Sequence, residues 1–364
     1  MGQYVEVAYL QSKPHYELLD GLRGVAALAI VVFHFLEFVY PDYSKNFLGH
    51  GFLAVDFFFC LSGFVIGYAY DERIRKIGIW QFFKARLIRL HPLVLLGSVL
   101  GLLGLWIDPF ADKEYNAGTL SLIFICSVLL IPFPVMSERG FGLFGLNTPS
   151  WSLFFEYIAN IFYALVLYRI SRRALTILTI LAALWLCWMS YCSGTLIGGW
   201  DGPSVWDGAA RIAYSFPAGL LLHRSSWVFK NKLGFVSLSI LLLLSFIVPY
   251  FSANWFVEAL VVLFYFPLLI ALGVGAECSN RIKKLCVFFG RVSYPLYMTH
   301  IPMIWVFGNY YDSYNVNTME LTLIIIAGTA FSLVLAYTVM LMYDIPIRKY
   351  LNAKPKSALE RFSK

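Results

Sequence analysis

Apolar residues run along this chain in long blocks separated by short polar or basic stretches. A bilayer core of about 30 Å needs about 20 apolar residues per helix. Blocks of that size lie near residues 22–40, 51–70, 91–108, 119–135, 150–168, 174–192, 206–222, 233–250, 255–275, 285–308 and 319–343. Residues 1–20 and 344–364 are predominantly polar. The pattern predicts an all-α fold, a polytopic integral membrane helical bundle formed as one domain over residues 1–364, with short cytoplasmic tails at 1–20 and 344–364.

Charge decides how many blocks cross. If all eleven cross from a cytoplasmic N-terminus, four basic clusters face outward: Arg169, Arg172 and Arg173; Arg224, Lys230 and Lys232; Arg281, Lys283 and Lys284; and the C-terminal tail. That breaks the positive-inside rule four times. Making 119–135 re-entrant repairs all four, and this block runs into Pro132, Pro134 and the Gly-rich stretch RGFGLFGLNTPS. Non-helical backbone at membrane depth is tolerated where protein or a wet cavity surrounds it. About 10 transmembrane helices plus one re-entrant segment then remain, with both termini cytoplasmic. Of 28 Lys and Arg, only Lys45, Lys113 and Arg139 fall in outward loops.

Composition fits a membrane protein. Hydrophobic residues make up 60% and charged residues 13%, with a mean hydropathy of +0.71, whereas soluble domains carry about 25% charged residues. The net charge of +7 therefore reads as topology and not as a nucleic-acid partner. The first block has no small-residue cleavage site behind it, so it is expected to stay in the protein. The six cysteines form no CxxC pair and sit near no histidine cluster; neither a metal site nor a disulfide scaffold is expected.

The candidate chemistry lies on ionisable groups inside apolar blocks. Arg23 and His34 are eleven residues apart, close to three helical turns and roughly 16 Å of axis, so both face one way. Such groups are costly in lipid and usually face a protein interior. Arg23 alone reads equally as a positive-inside anchor. Glu37, three residues past His34, can orient the ring or raise its basicity. Asp56, set in VDFFFCLSGF, needs a partner; His50 is one candidate. Arg86 and Arg89 share a helix face at the cytoplasmic entry to the third block, where their planar forks suit phosphate. Ser152 and Glu156 share a face next to Trp151, and Ser293, Tyr297 and His300 form one polar stripe. Depth counting puts His34, Asp56, Glu156 and His300 at one level in the outer third.

Five segments, LLDGLRGVAALAIVVFHF, VDFFFCLSGFVI, FFKARLIRLHP, PSWSLFFEY and SYPLYMTHIP, resemble in order and spacing the signature segments of the membrane-bound acyltransferase-3 family of bacterial O-acyltransferases. The resemblance covers roughly residues 15–350, including a closing DIPIRKYL. It implies transfer of an acyl group, most often acetyl from acetyl-CoA, to a hydroxyl of an extracytoplasmic glycan or glycolipid, in the bacterial inner membrane. It further implies that Arg23 and His34 match the family's first-helix pair, Arg86 and Arg89 its cytoplasmic arginine pair, and Trp151, Ser152 and Glu156 its Trp-Ser-Leu motif. Many members carry two consecutive acidic residues after that motif, whereas here Tyr157 follows Glu156. Some members append a soluble hydrolase-like domain, which a chain of 364 residues is not expected to hold.

The combined expectation is an enzyme without a permanently bound cofactor. Arg23, Arg86 and Arg89 handle the acyl-CoA donor, and His34, Glu37, Asp56 and Glu156 form the catalytic group. Trp151, Ser152, Ser293, Tyr297 and His300 bind substrate. The rival is a transporter or flippase of a lipid-linked substrate, for which midplane charges and proline-broken helices are also expected.

Overall fold

The computed structural model describes residues 15–111, 115–314 and 316–353. Every apolar block contributes helix. In chain order these are α1 (Glu17–Val39), α2 (Ala54–Tyr70), α3 (Ile79–Ile107), α4 (Ala117–Leu129), α5 (Ser150–Phe162), α6 (Arg172–Ser193) and α7 (Val205–Arg224). There follow α8 (Phe235–Leu244), α9 (Asn254–Leu260), α10 (Phe266–Gly275), α11 (Asn280–Thr299), α12 (Ile301–Ser313), α13 (Thr318–Val339) and α14 (Ile345–Asn352). Single π-helical stretches continue α5 and join α9 to α10 and α13 to α14. Among the described residues there is no strand, only two isolated bridges.

Seven helical runs are long and apolar enough to cross a bilayer: Glu17–Val39, Gly51–Tyr70, Ile79–Ile107, Ser150–Leu167, Arg172–Ser193, Asn254–Gly275 and Thr318–Asn352. The protein is a multi-pass membrane protein. Exposed aromatic residues form two belts, with Trp106, Trp188, Tyr191 and Trp206 at one end of the bundle and Trp80, Trp227 and Tyr350 at the other. Trp and Tyr favour the membrane–water interface because the ring is apolar and its edge is polar.

Helix starts follow local chemistry. The side chains of Asn116, Ser171 and Asn317 accept backbone N–H bonds at the first turns of α4, α6 and α13, satisfying donors that a helix leaves open. The segment expected to be re-entrant, 119–135, is helical only to Leu129. Leu130 takes a left-handed conformation with φ 54°, and Pro132 and Pro134 beyond it cannot donate to a helix ladder. Tyr115 donates to Glu138 at 2.5 Å, so the chain entering α4 and the chain leaving it meet again.

The closest helix packing depends on glycine. A Cβ on Gly63 would lie 1.9 Å from the Phe216 carbonyl oxygen, and one on Gly219 would lie 1.8 Å from that of Cys60. Only two bare backbones fit there, so α2 and α7 approach as small-residue membrane helices do. Polar links, part-buried at one end and buried at the other, tie the ends. Arg224 pairs with Asp71 at 2.6 Å at the Arg23 end. At the other end Glu258 accepts from Thr195, Leu196 and Asn254 and lies 3.4 Å from His50.

Candidate active site

The eleven-residue spacing in α1 does what helical geometry requires: Arg23 and His34 face the same interior but line two different cavities. The first, the arginine cavity, is lined by Arg23, Ser62, Arg86, Arg89, Glu156 and Ser293. The second, the histidine cavity, is lined by His34, Glu37, Trp151, Trp200, Arg211 and Trp305. Val55 and Tyr297 line both. The cavities are therefore stacked along α1 and meet at those two side chains. Ser152 and Tyr297 share a hydroxyl–hydroxyl hydrogen bond of 2.8 Å at the junction.

Charge in the arginine cavity is nearly balanced. Arg23 pairs with Asp20 at 2.9 Å, Arg86 with Glu156, and Arg348 with Asp344. Arg23 also donates to the Gly290 carbonyl at 2.6 Å and to Ser293 at 2.9 Å. Arg89 lies within the field of Arg23, Arg86 and Arg348 and, more weakly, of Glu156, yet it has no hydrogen bond or ion pair among the described residues. Of the three arginines that line the cavity, Arg23 and Arg86 have partner carboxylates and Arg89 is the cation left over. A planar fork left open in this way suits an anionic oxygen cluster such as a phosphate.

The histidine cavity is organised differently. His34 Nδ1 lies 2.7 Å from Glu37 Oε1. A carboxylate there accepts the Nδ1 proton, fixes the tautomer and leaves the Nε2 lone pair available. His300 stacks on His34 with ring centroids 5.3 Å apart, and its own Nδ1 is 3.0 Å from the Leu296 carbonyl. His300 is buried, so it backs the His34 ring.

Two expected members of the catalytic group lie elsewhere. Asp56 does not orient His34 or pair with His50; it is fully buried against Arg211, whose Nη2 donates at 2.7 Å and whose Nε donates to both carboxylate oxygens at 3.1 Å. The same guanidinium donates to the carbonyls of Gly198 and Phe52 and lies over the Trp151 ring at 5.1 Å. Glu156, expected at the level of His34, binds Arg86 and accepts from Ser62 at 3.0 Å in the arginine cavity. The loop before α5 explains the difference. Leu146 and Asn147 are buried, and Asn147 donates to the Met298 carbonyl at 3.1 Å. Helix α5 therefore begins below the surface, and counting down from a membrane boundary places Glu156 too shallow.

Of the expected substrate contacts, Trp151 lines the histidine cavity, Ser152 and Ser293 the arginine cavity, and Tyr297 both. His300 lines neither cavity and packs against His34 and Tyr297, with ring centroids 5.3 and 6.0 Å away. Two buried arginines, one lining the histidine cavity and one behind its wall, went unassigned in the sequence. Arg211 was marked by a charge inside an apolar block, opposite in sign to Asp56. Arg139 carried no such mark. Its guanidinium is buried over the Trp305 ring at 4.1 Å, a cation–π contact, and burial pushes its pKa down to about 10. Among the described residues no group of His, Cys, Asp and Glu is arranged to hold a metal ion.

Comparison with known proteins bears on this architecture. Residues 16–341 match the family model described as an acyltransferase domain. Protein 2 in the picA locus of Rhizobium radiobacter is 38% identical over 167 residues, which is 42% of this chain and 84% of that protein. O-acetyltransferase OatA of Staphylococcus aureus (strain NCTC 8325 / PS 47) is 25% identical over 325 residues, 80% of this chain and 51% of OatA. Acyltransferase MdmB of Streptomyces mycarofaciens is 30% identical over 165 residues, 43% of this chain and 40% of MdmB. The aligned region thus spans about half of OatA and less of MdmB. No solved structure matches the chain. A family match over most of the chain, on a helical bundle that holds the signature residues around two joined cavities, shows that this multi-pass membrane protein belongs to the acyltransferase-3 family.

Proposed function

We propose that the protein is a membrane-embedded O-acyltransferase that takes an acetyl group from acetyl-CoA and gives it to a hydroxyl of an extracytoplasmic glycan or glycolipid. The observation that carries this reading is the pair of cavities meeting at Tyr297, with an unpaired arginine in one and a carboxylate-oriented histidine in the other. In this reading the Arg23 end faces the cytoplasm of a bacterial inner membrane, both termini lie on that side, and about ten crossings accompany one hairpin at α4. The Tyr115–Glu138 contact supports the hairpin.

Arg86 and Arg89 hold donor phosphates, and Arg23 holds groups nearer the thioester arm. The arm runs past Ser152 and Tyr297 to bring the acyl carbon into the histidine cavity, roughly three turns of α1 away. There the acceptor oxygen attacks the acyl carbon, and its proton passes to His34 Nε2. The carbon–sulfur bond breaks, and coenzyme A leaves as the thiol after taking a proton. Glu37 keeps His34 in the accepting tautomer, His300 fixes the ring plane, and the Arg211–Asp56 pair holds Trp151 against the acceptor. General-base assistance of this kind contributes roughly 10²–10⁴ in rate.

Incubating the purified protein with labelled acetyl-CoA and extracted envelope glycans and lipids tests the reading. Label passes to one acceptor species, and His34→Ala stops transfer without changing expression or membrane insertion. A folded His34→Ala protein that still transfers acetyl overturns the mechanism, and a wild-type protein that neither transfers nor hydrolyses donor overturns the activity.

A further inference from the structure

A third cavity opens sideways, away from the other two. It lies between α5, α6 and α7 and has a volume of ≈ 740 Å³. Its walls include Phe155, Ile158, Leu181, Ala182, Ala209 and Ala213. No ionisable or hydroxyl side chain lines it, and the indole nitrogens of Trp185 and Trp206 are its sole side-chain polar atoms. A water molecule needs two or more polar partners to be held in a buried site, so these walls do not hold water. They belong to the bilayer side of the protein: Ile158, Leu181 and Trp206 are exposed. Along α7 the groove runs from Val205 to Pro217, twelve residues or about 18 Å, close to half of a hydrocarbon core of about 30 Å. Its upper rim is at Trp206, in the aromatic belt of the His34 end.

Where the groove lies distinguishes it from ordinary lipid-facing surface. Phe155 on its wall packs edge-on against Trp151 at 6.1 Å, and Trp151 lines the histidine cavity. A single aromatic layer separates the two spaces. At the rim, residues 194–204 link α6 to α7 and carry Trp200, which also lines the histidine cavity. A chain seated in the groove with its end at Trp206 therefore puts its polar head beside the mouth of that cavity. On the floor of the groove Ala209 and Ala213 lie one helical turn apart and leave the room that the chain needs.

We propose that this groove binds the hydrocarbon chain of a lipid-borne acceptor, one leaflet deep, so that the acceptor's polar head enters the histidine cavity from the bilayer. The fate of that head rests on the acyl-transfer reading; the seat of the chain does not. In this arrangement the anchor carries much of the acceptor's affinity, and specificity divides between chain and head.

Photo-labelling of the full chain in phosphatidylethanolamine–phosphatidylglycerol nanodiscs tests the proposal. The probes are a hexadecyl glucoside with a diazirine in its chain and a phosphatidylethanolamine carrying the same diazirine chain, at equal mole fraction. The expected result is label on α5 and α7 residues of the groove, with the glucoside ahead by about tenfold, the ratio that about 1.4 kcal/mol gives. Ala213→Trp fills the floor and brings glucoside labelling down to the phospholipid level. Should that variant fail to fold, Ile158→Trp, at an exposed point of the lip, is expected to do the same. Equal labelling by the two probes overturns the proposal, as does glucoside labelling that survives the filling substitutions. Labelled acetyl-CoA, followed in the same nanodiscs, separates the two readings. Groove labelling without acetyl transfer sinks the enzyme reading alone, and acetyl transfer with equal labelling sinks the groove alone.

Discussion

Arg89→Gln separates a binding cation from a structural one. Arg23, Arg86 and Arg348 each have a carboxylate, and Arg89 has none among the described residues while sitting in the field of the other three. Removing its charge breaks no ion pair, and it trades repulsion from three guanidinium groups against attraction to Glu156 and Asp344, so the ligand-free protein unfolds at about the same temperature. Against a donor phosphate the loss is that of a hydrogen bond to a charged group, about 1.5–3 kcal/mol. Since about 1.4 kcal/mol is tenfold in affinity, coenzyme A binding weakens by roughly 10- to 150-fold. Arg86→Gln is the contrast, because it strands Glu156 and lowers thermal stability as well as affinity. Calorimetric titration of coenzyme A in detergent, alongside thermal unfolding of the ligand-free variants, reads both quantities. Unchanged coenzyme A affinity in Arg89→Gln, or a destabilisation as large as that of Arg86→Gln, would refute the assignment of the unpaired cation to the donor.

Other substitutions test the remaining parts. Asp56→Asn strands a fully buried Arg211 and is expected to cost about 3–5 kcal/mol, read as a large drop in unfolding temperature; a fully stable Asp56→Asn protein contradicts the structural role of the pair. Glu37→Gln removes the carboxylate that fixes the His34 tautomer, so kcat falls while coenzyme A affinity holds, and the size of the fall stays within the roughly 10²–10⁴ of a general-base step. Gly63→Leu drives a side chain into the Phe216 backbone and is expected to abolish folded protein in membranes, measured as loss of a monodisperse peak after extraction. Wild-type recovery of Gly63→Leu would mean that α2 and α7 do not touch as described.

How much of this was legible beforehand depends on the range of the interaction. Periodicity is local, so the common face of Arg23 and His34, the reach of Glu37 to His34 and the stripe of Ser293, Tyr297 and His300 follow from spacing alone. Motif order reached further, and the family followed from it. Partners distant in sequence did not follow: Asp56 and Arg211 are 155 residues apart, and only tertiary packing says that α2 and α7 touch. Depth was misjudged for Glu156 because membrane position was counted from the start of an apolar block, whereas the loop through Leu146 and Asn147 is itself buried. At 119–135 the prolines were legible as a break, and the helix does end before them, at Leu129, with Leu130 left-handed.

The junction at Val55, Ser152 and Tyr297 has a consequence for the cell's energy supply. In the proposed orientation, two cavities placed back to back leave only these side chains between the two faces of the membrane. An open path there would let protons and small ions run down their gradients continuously. The hydroxyl pair of Ser152 and Tyr297, closed at 2.8 Å beside an apolar valine, is the insulation in that wall. Under the acyl-transfer proposal, a slender donor arm that enters this gap also plugs it, which would keep the membrane electrically tight through each cycle.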